Sequence, residues 1–178
     1  IVNSANPVSM AFADEEDYGV DAVLWVGSVG QTGLYALGDV LSGAVNPSGS
    51  LPDTWWKDNQ LDPVQNNFGV YTYEGQEKYT YPANANSYNH YVVYQEGVYL
   101  GYKYTETRYE DVVLGTPNAG NFQYNNVVAY PFGYGLSYTN FAFSDMQVQK
   151  VGEGLKTEYQ LTVTVTNTGD KAGKKAVQ

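Results

Sequence analysis

Cysteine is absent from the 178 residues. That excludes disulfides, thiol catalysis and thiolate metal sites within this chain. Histidine is nearly absent: His90 stands alone, too few for a multi-histidine metal site. Long hydrophobic runs are missing as well, and a membrane-spanning helix needs a stretch of roughly 18 apolar residues. Basic residues are scarce, with 9 Lys and Arg against 19 Asp and Glu, for a formal net charge of −10. The imbalance is uneven. Residues 150–178 hold five lysines against Glu153, Glu158 and Asp170, so residues 1–149 carry −12. An acidic body of this kind repels phosphates, which argues against nucleic acid and anionic membrane surfaces as partners. Neutral sugars are unaffected by it. The lack of cysteine fixes no compartment; a secreted or cell-surface bacterial setting ranks ahead of the cytoplasm.

What is present supports a folded protein. Hydrophobic residues make up 43% of the chain, enough for a packed core. Tyrosine is abundant, 18 residues against 6 Phe and 3 Trp. Its flat apolar face and polar tip suit half-buried strands and wet binding surfaces alike. The opening Ile1-Val2-Asn3 reads as a strand end and has neither a Met nor the charged leader of a signal peptide. The stretch Lys174–Gln178 reads as the entry to a new strand. The expectation is that the chain is part of a longer protein.

Along the chain, Val8–Phe12 is expected to form a short helix, and the acidic Asp14–Asp17 a solvated turn. Asp21–Val26 is a nearly continuous apolar run, the pattern of a parallel strand buried on both faces. A Gly-rich turn over 27–33 follows, then Leu34, Leu37, Val40 and Leu41 at helical spacing. Strand, turn and helix make half of a βα unit. The turn lacks the spacing of a dinucleotide fingerprint and the lysine of a P-loop. Residues 53–95 are irregular and polar, too long for a plain connection. Val92–Tyr104 reads as extended or short helical pieces, and residues 107–126 as a second polar insertion. From Phe141 the pattern changes to alternation: Phe141, Phe143, Met146 and Val148, then Tyr159, Leu161, Val163 and Val165, as in half-buried antiparallel strands.

Taken in order, these segments resemble one family. Asp21–Gly27, Gly30-Gln31, Ala36–Gly43 and Asn46–Pro52 are similar to the late part of the α/β sandwich domain of family 3 glycoside hydrolases. Tyr94–Tyr104 resembles the family's EGIxVGYRY stretch, and residues 131–138 match its PFGYGLSY signature. Val163–Gly173 resembles the opening of its fibronectin III-like domain. Thr32 stands where many members have Glu. The resemblance implies a fold class of partial α/β sandwich with long insertions over residues 1–139, followed by the first strands of an all-β fibronectin III/Ig-like sandwich over residues 140–178.

The chemistry is implied in the same way. Members cleave β-linked terminal sugars with retention, which needs two carboxyls about 5–5.5 Å apart. The family's nucleophile lies on a barrel domain and its acid/base upstream of the segment matched here. No catalytic residue is therefore assigned in this chain, and no cofactor or metal ligand. The substrate implied is a β-linked glucoside or oligosaccharide. A β-xylosidase and a non-catalytic carbohydrate-binding or surface-display module are the alternatives. The implied partners are the remaining domains of the parent enzyme, with homo-oligomerisation left open. Glu96 is expected to be structural. Gly133 and Gly135 should permit tight turning, with Phe132, Tyr134 and Tyr138 in packing roles. Trp55 and Trp56 are expected in the core or at an interface, with a leaving-group subsite as the other reading for them and for His90. The insertion at 53–93 is expected to border the active-site cleft.

Overall fold

The structure, a computed structural model, describes residues 1–68, 71, 72, 74 and 90–178. The described residues fall into two compact units. One comprises Ile1–Ser28 and Pro52–Phe132, the other Val29–Leu51 and Gly133–Gln178.

The first unit is organised around tryptophan. Trp55–Trp56 form strand β1, paired antiparallel with β4 (Val128–Tyr130) through an irregular register. Between them in sequence, β2 (Tyr71–Thr72) pairs antiparallel with β3 (His90–Tyr91). Residues 10 and 11 run alongside β1, the Met10 and Ala11 amides donating to the carbonyls of Trp56 and Lys57 at 3.0 and 2.9 Å. Met10, Trp55, Trp56 and Val128 form the buried apolar core among the described residues. The Trp25 ring meets Trp55 edge-on at 5.3 Å, and its indole N–H donates to the Ser4 carbonyl at 2.7 Å.

Asp21–Val26, expected as a central strand buried on both faces, is only half-buried. It makes one parallel bridge, Val2 to Trp25, framed by Val2 N–H to Leu24 and Val26 N–H to Val2 at 2.8 and 3.0 Å. The apolar run reads as a central strand because such a strand has neighbours on both sides, and a single bridge supplies one. The helix expected at Val8–Phe12 appears three residues later, as a 3-10 turn at Ala11–Asp14, because residues 10 and 11 are committed to β1. Asp14–Asp17 is exposed, as expected.

Residues 107–126 are not simply an irregular insertion. Helix α3 runs Tyr102–Leu114, after the short α2 (Pro63–Asn67) and before α4 (Tyr124–Val127). Gly101 precedes α3 and Gly115, in the left-handed region, ends it, with no Gly or Pro between. Thr105 is fully buried, and its hydroxyl shares a 2.9 Å hydrogen bond with that of Thr54. Arg108 ties down the loop beyond the helix by donating to the carbonyls of Asn118 and Ala119 while lying over the Phe122 ring. Tyr102 stacks on Phe132 at 3.7 Å.

The second unit contains helix α1 (Gly33–Leu41) and a hairpin of β5 (Phe141–Val151) with β6 (Glu158–Asn167). The helix falls where the apolar spacing places it, starting one residue earlier. Asn46 joins three segments: its side-chain oxygen accepts from the Ser137 hydroxyl and the Tyr138 amide, and its amide nitrogen donates to the Ala172 carbonyl. The Tyr138 hydroxyl donates to the Val40 carbonyl at 2.7 Å. Gly133 has φ +77°, and a Cβ on Gly135 would sit 2.2 Å from the Gly49 carbonyl oxygen. Gly135 thus serves a backbone approach that no side chain permits, and Gly133 a left-handed turn that favours glycine.

The hairpin carries a β-bulge between Ser144 and Gln147. Asp145 within it is the sole non-glycine residue of positive φ among the described residues, at 54°. The bulge explains the spacing of the apolar positions. Phe143 pairs with Val165 before it and Val148 with Leu161 after it, so an odd-numbered run on β5 becomes an even-numbered one. Tyr159, Leu161, Val163 and Val165 share one face of β6, as the alternation predicts. That face is largely exposed, Leu161 at 65%, and the sheet has two strands.

Two stability outcomes follow from these contacts. Thr105→Val leaves the buried Thr54 hydroxyl without its partner and should cost about 1–3 kcal/mol; adding Thr54→Val should recover part of that loss in urea unfolding. Asp145→Gly should be neutral or stabilising, whereas Asp145→Val should cost about 1–2 kcal/mol, since a branched side chain is poorly accommodated at that φ.

Candidate functional site

The first unit has a cleft of ≈ 200 Å³ lined by Asp53, Thr54, Trp56, Asn59, Asp62 and Gly101, among others. Local sequence sets each wall. Asp62 precedes Pro63 and caps α2, accepting from the Val64 amide at 3.0 Å; proline suits the first helical position, where no backbone donor is needed. Asp58 caps the preceding 3-10 turn in the same way. Asp53 accepts from the Thr54 amide at 2.8 Å and lies against Gly101 at the start of α3, where its Oδ1 would be 3.3 Å from a Cβ. Carboxylates at helix starts are favoured by the unpaired amides there.

Asn59 is held by its backbone amide to the Ser9 hydroxyl at 2.9 Å and by its side-chain amide to the Pro7 carbonyl at 3.4 Å. Its side-chain oxygen is buried without a hydrogen-bond partner among the described residues. Glu96 is 6% exposed, and neither carboxylate oxygen has a hydrogen-bond partner among the described residues. Asp62 feels this directly. Burial raises its carboxyl above the ordinary value of 3.8, the charges of Glu96 and Asp53 raise it further, and only the Val64 amide opposes them. The result is an acceptor-rich, negatively charged recess. Among the described residues, no group of three or more His, Cys, Asp or Glu is placed to hold a metal ion.

Trp55 and Trp56 lie in the core, at 2% and 7% exposure, which is the packing role expected of them. Glu96, expected to be structural, is buried and has no hydrogen-bond partner among the described residues, unlike most buried polar groups. The backbone of His90 pairs with Thr72; its side chain, and most of 69–89, lie outside the described residues. Of the insertion expected at 53–93, residues between 53 and 65 line the cleft. Asp53 and Asp62 are not singled out by the sequence reading. The signal was there in Asp62-Pro63, an N-cap followed by a helix-starting proline.

Residues 1–102 match the glycosyl hydrolase family 3 C-terminal domain. The whole chain aligns with a β-glucosidase of Ruminococcus albus at 34% identity, covering 100% of this chain and 15% of that protein. An exo-α-(1→6)-L-arabinopyranosidase of Bifidobacterium longum is 35% identical over 84% of this chain and 15% of its own. Among solved structures, a β-glucosidase from Paenibacillus barengoltzii superposes with a TM-score of 0.66 at 32% identity, over 95% of this chain and 15% of that one. The chain spans 15% of the length of each of these relatives.

The Asp62 environment predicts a pH dependence with a definite sign. Its folded carboxyl holds a proton more tightly than the unfolded chain does. It therefore contributes stability below the unfolded value of 3.8, and that contribution is lost as pH rises through the raised folded value. Asn at this position keeps the helix cap without the charge. Asp62→Asn should raise the urea midpoint near neutral pH and reduce the gain in stability seen on acidification, measured by urea titrations at a series of pH values.

Proposed function

Because the chain belongs to glycosyl hydrolase family 3, we propose that it is part of a longer retaining, exo-acting β-glycosidase, and specifically a β-glucosidase that hydrolyses terminal β-D-glucosyl residues. The observation that carries this reading is the full-length alignment with a β-glucosidase of which the chain covers only 15%. In this reading the nucleophile and the acid/base carboxyl both lie outside the 178 residues. Residues 1–139 are the end of an α/β sandwich domain and residues 140–178 the opening strands of a fibronectin III-like domain. The exposed apolar face of the β5–β6 hairpin supports the latter, since a sandwich covers such a face with a second sheet.

A second specificity is kept because the arabinopyranosidase relative is as similar as the glucosidase one. The insertion at 53–93 is proposed to border the cleft on the leaving-group side, on the strength of its length and its content of Tyr and Asn, flat faces and amide groups suited to sugars.

The test compares the longer enzyme with this chain on aryl β-D-glucoside, β-D-xyloside and α-L-arabinopyranoside. The expected outcome is the highest kcat/KM on the glucoside, with retention of anomeric configuration, and no turnover by the 178 residues alone. Preference for either other glycoside reassigns the substrate, and turnover by the isolated chain contradicts the placement of the catalytic carboxyls. Replacing residues 66–90 by a short Gly-Ser linker in the longer enzyme should impair discrimination among disaccharides while leaving aryl glucoside hydrolysis intact. Unchanged kinetics on all substrates removes the loop from the site.

A further inference from the structure

Residues 137–140 lead from the PFGYGLSY segment into β5, and each of the four is held by a contact outside the stretch. The Ser137 hydroxyl and the Tyr138 amide donate to the Asn46 side-chain oxygen at 2.9 and 2.8 Å. The Tyr138 hydroxyl donates to the Val40 carbonyl, near the end of α1, at 2.7 Å. Thr139 and Asn140 are held from the other side. The Thr139 hydroxyl donates to the side-chain oxygen of Asn167, the last residue of β6, at 2.7 Å. The Asn140 carbonyl accepts from the Thr168 amide at 2.8 Å. Two further contacts bypass the stretch. The Asn46 amide nitrogen donates to the Ala172 carbonyl at 2.9 Å and that of Asn167 to the Lys171 carbonyl at 2.8 Å, so the two carboxamides grip consecutive residues beyond the hairpin. The fit is close as well as bonded. A Cβ on Gly173 would lie 2.7 Å from the Asn46 amide nitrogen and 3.1 Å from Thr139 Cγ2, and one on Gly169 would lie 2.3 Å from the Thr139 hydroxyl oxygen.

We propose that these contacts form a rigid joint that sets the β5–β6 hairpin at a fixed angle on α1, with Asn46 and Asn167 as its positioning residues. Domains joined by a plain connection move relative to one another by default, and flexible connections are rich in Gly and Ser. Ser137-Tyr138-Thr139-Asn140 is not of that kind. A hinge needs a few residues free to absorb a change of φ and ψ. Here the first two residues are bonded to the α1 side and the last two to the hairpin side, which leaves none between them. The bond from Asn46 to Ala172 then crosses the joint at a second point, and two points of attachment remove the rotation that one alone allows. Helix α1 and the hairpin also belong to the same compact unit. On this reading the change of pattern near residue 139 is a change of architecture and not a point of flexure. The joint does not depend on the glycosidase reading; naming the body it carries a fibronectin III-like domain does.

The test uses the absence of cysteine. Ala36→Cys on α1 and Gln160→Cys on β6, both at exposed positions, take one spin label each in the 178-residue chain. Their separation is measured by double electron–electron resonance. One narrow distance distribution is expected. Its width should grow at least twofold in Asn46→Ala. Asn46→Asp should widen it as well, because that side chain keeps an acceptor for Ser137 and Tyr138 but turns an oxygen towards the Ala172 carbonyl. Tyr138→Phe removes a single bond and should widen it less. A broad or double distribution without substitution in the joint overturns the proposal. So does an unchanged width in Asn46→Asp and Tyr138→Phe, since a purely local stabilising role would lower Tm and leave the width as it was. Those two variants carry the comparison if Asn46→Ala does not fold. The longer enzyme tests the domain reading separately: Leu161→Lys should lower its Tm by several degrees if a second sheet covers that face. An unchanged Tm there, with a narrow distribution in the 178-residue chain, withdraws the sandwich and keeps the joint.

Discussion

The hydrogen bond between the hydroxyls of Thr54 and Thr105, 2.9 Å long and buried, is the contact on which the first unit depends. Thr54 precedes β1, and Thr105 sits in the first turn of α3. Their bond sets the helix against the strand and brings Gly101 beside Asp53. The same strand carries Trp55, whose ring anchors Trp25 and through it the bridge to Val2. The core and one wall of the acidic cleft are therefore fixed by adjacent residues, 54 and 55, facing different neighbours. Hydroxyl pairs of this kind contribute only about 1 kcal/mol net. Their weight here comes from burial, since a lone hydroxyl in that place has no water to turn to.

Where structure is decided locally, the sequence reading finds it. Helix α1 follows from Leu34, Leu37, Val40 and Leu41 on one stripe, and β6 from strict alternation of Tyr159, Leu161, Val163 and Val165. The PFGYGLSY glycines were legible for the same reason, because a backbone approach needs a missing side chain. Helix α3 was harder. It is polar, rich in Tyr and Thr, and its burial concentrates on Thr105, a residue that no hydrophobic pattern marks. Its bounding glycines, 101 and 115, were the available signal. The bulge at Asp145 was visible only as a phase change between Phe143 and Met146, which alternation counts overlook.

The candidate site was the least legible part. Asp53, Asp62 and Glu96 are separated by up to 43 positions in the sequence, and each has a bland local role as a cap or turn residue. Their common charge becomes a property only when the chain folds Asp53 and Asp62 into one recess within electrostatic reach of Glu96. Glu96 illustrates the gap between placing a residue and knowing its state. A structural role was anticipated, whereas its burial and the lack of a hydrogen-bond partner for its carboxylate among the described residues are facts about three dimensions alone. Family membership, by contrast, was carried by motif order along the chain, which folding does not alter.

Asn46 gives the second unit a mechanical character. One carboxamide holds the turn after α1, the segment at Ser137-Tyr138 and the irregular stretch at Ala172. Release of any one of them leaves the other two bound to a side chain that has lost part of its fixation. Such a node couples local opening of the three segments, so amides distant in sequence should exchange with solvent at similar rates. A single asparagine thus converts three loops into one kinetic unit.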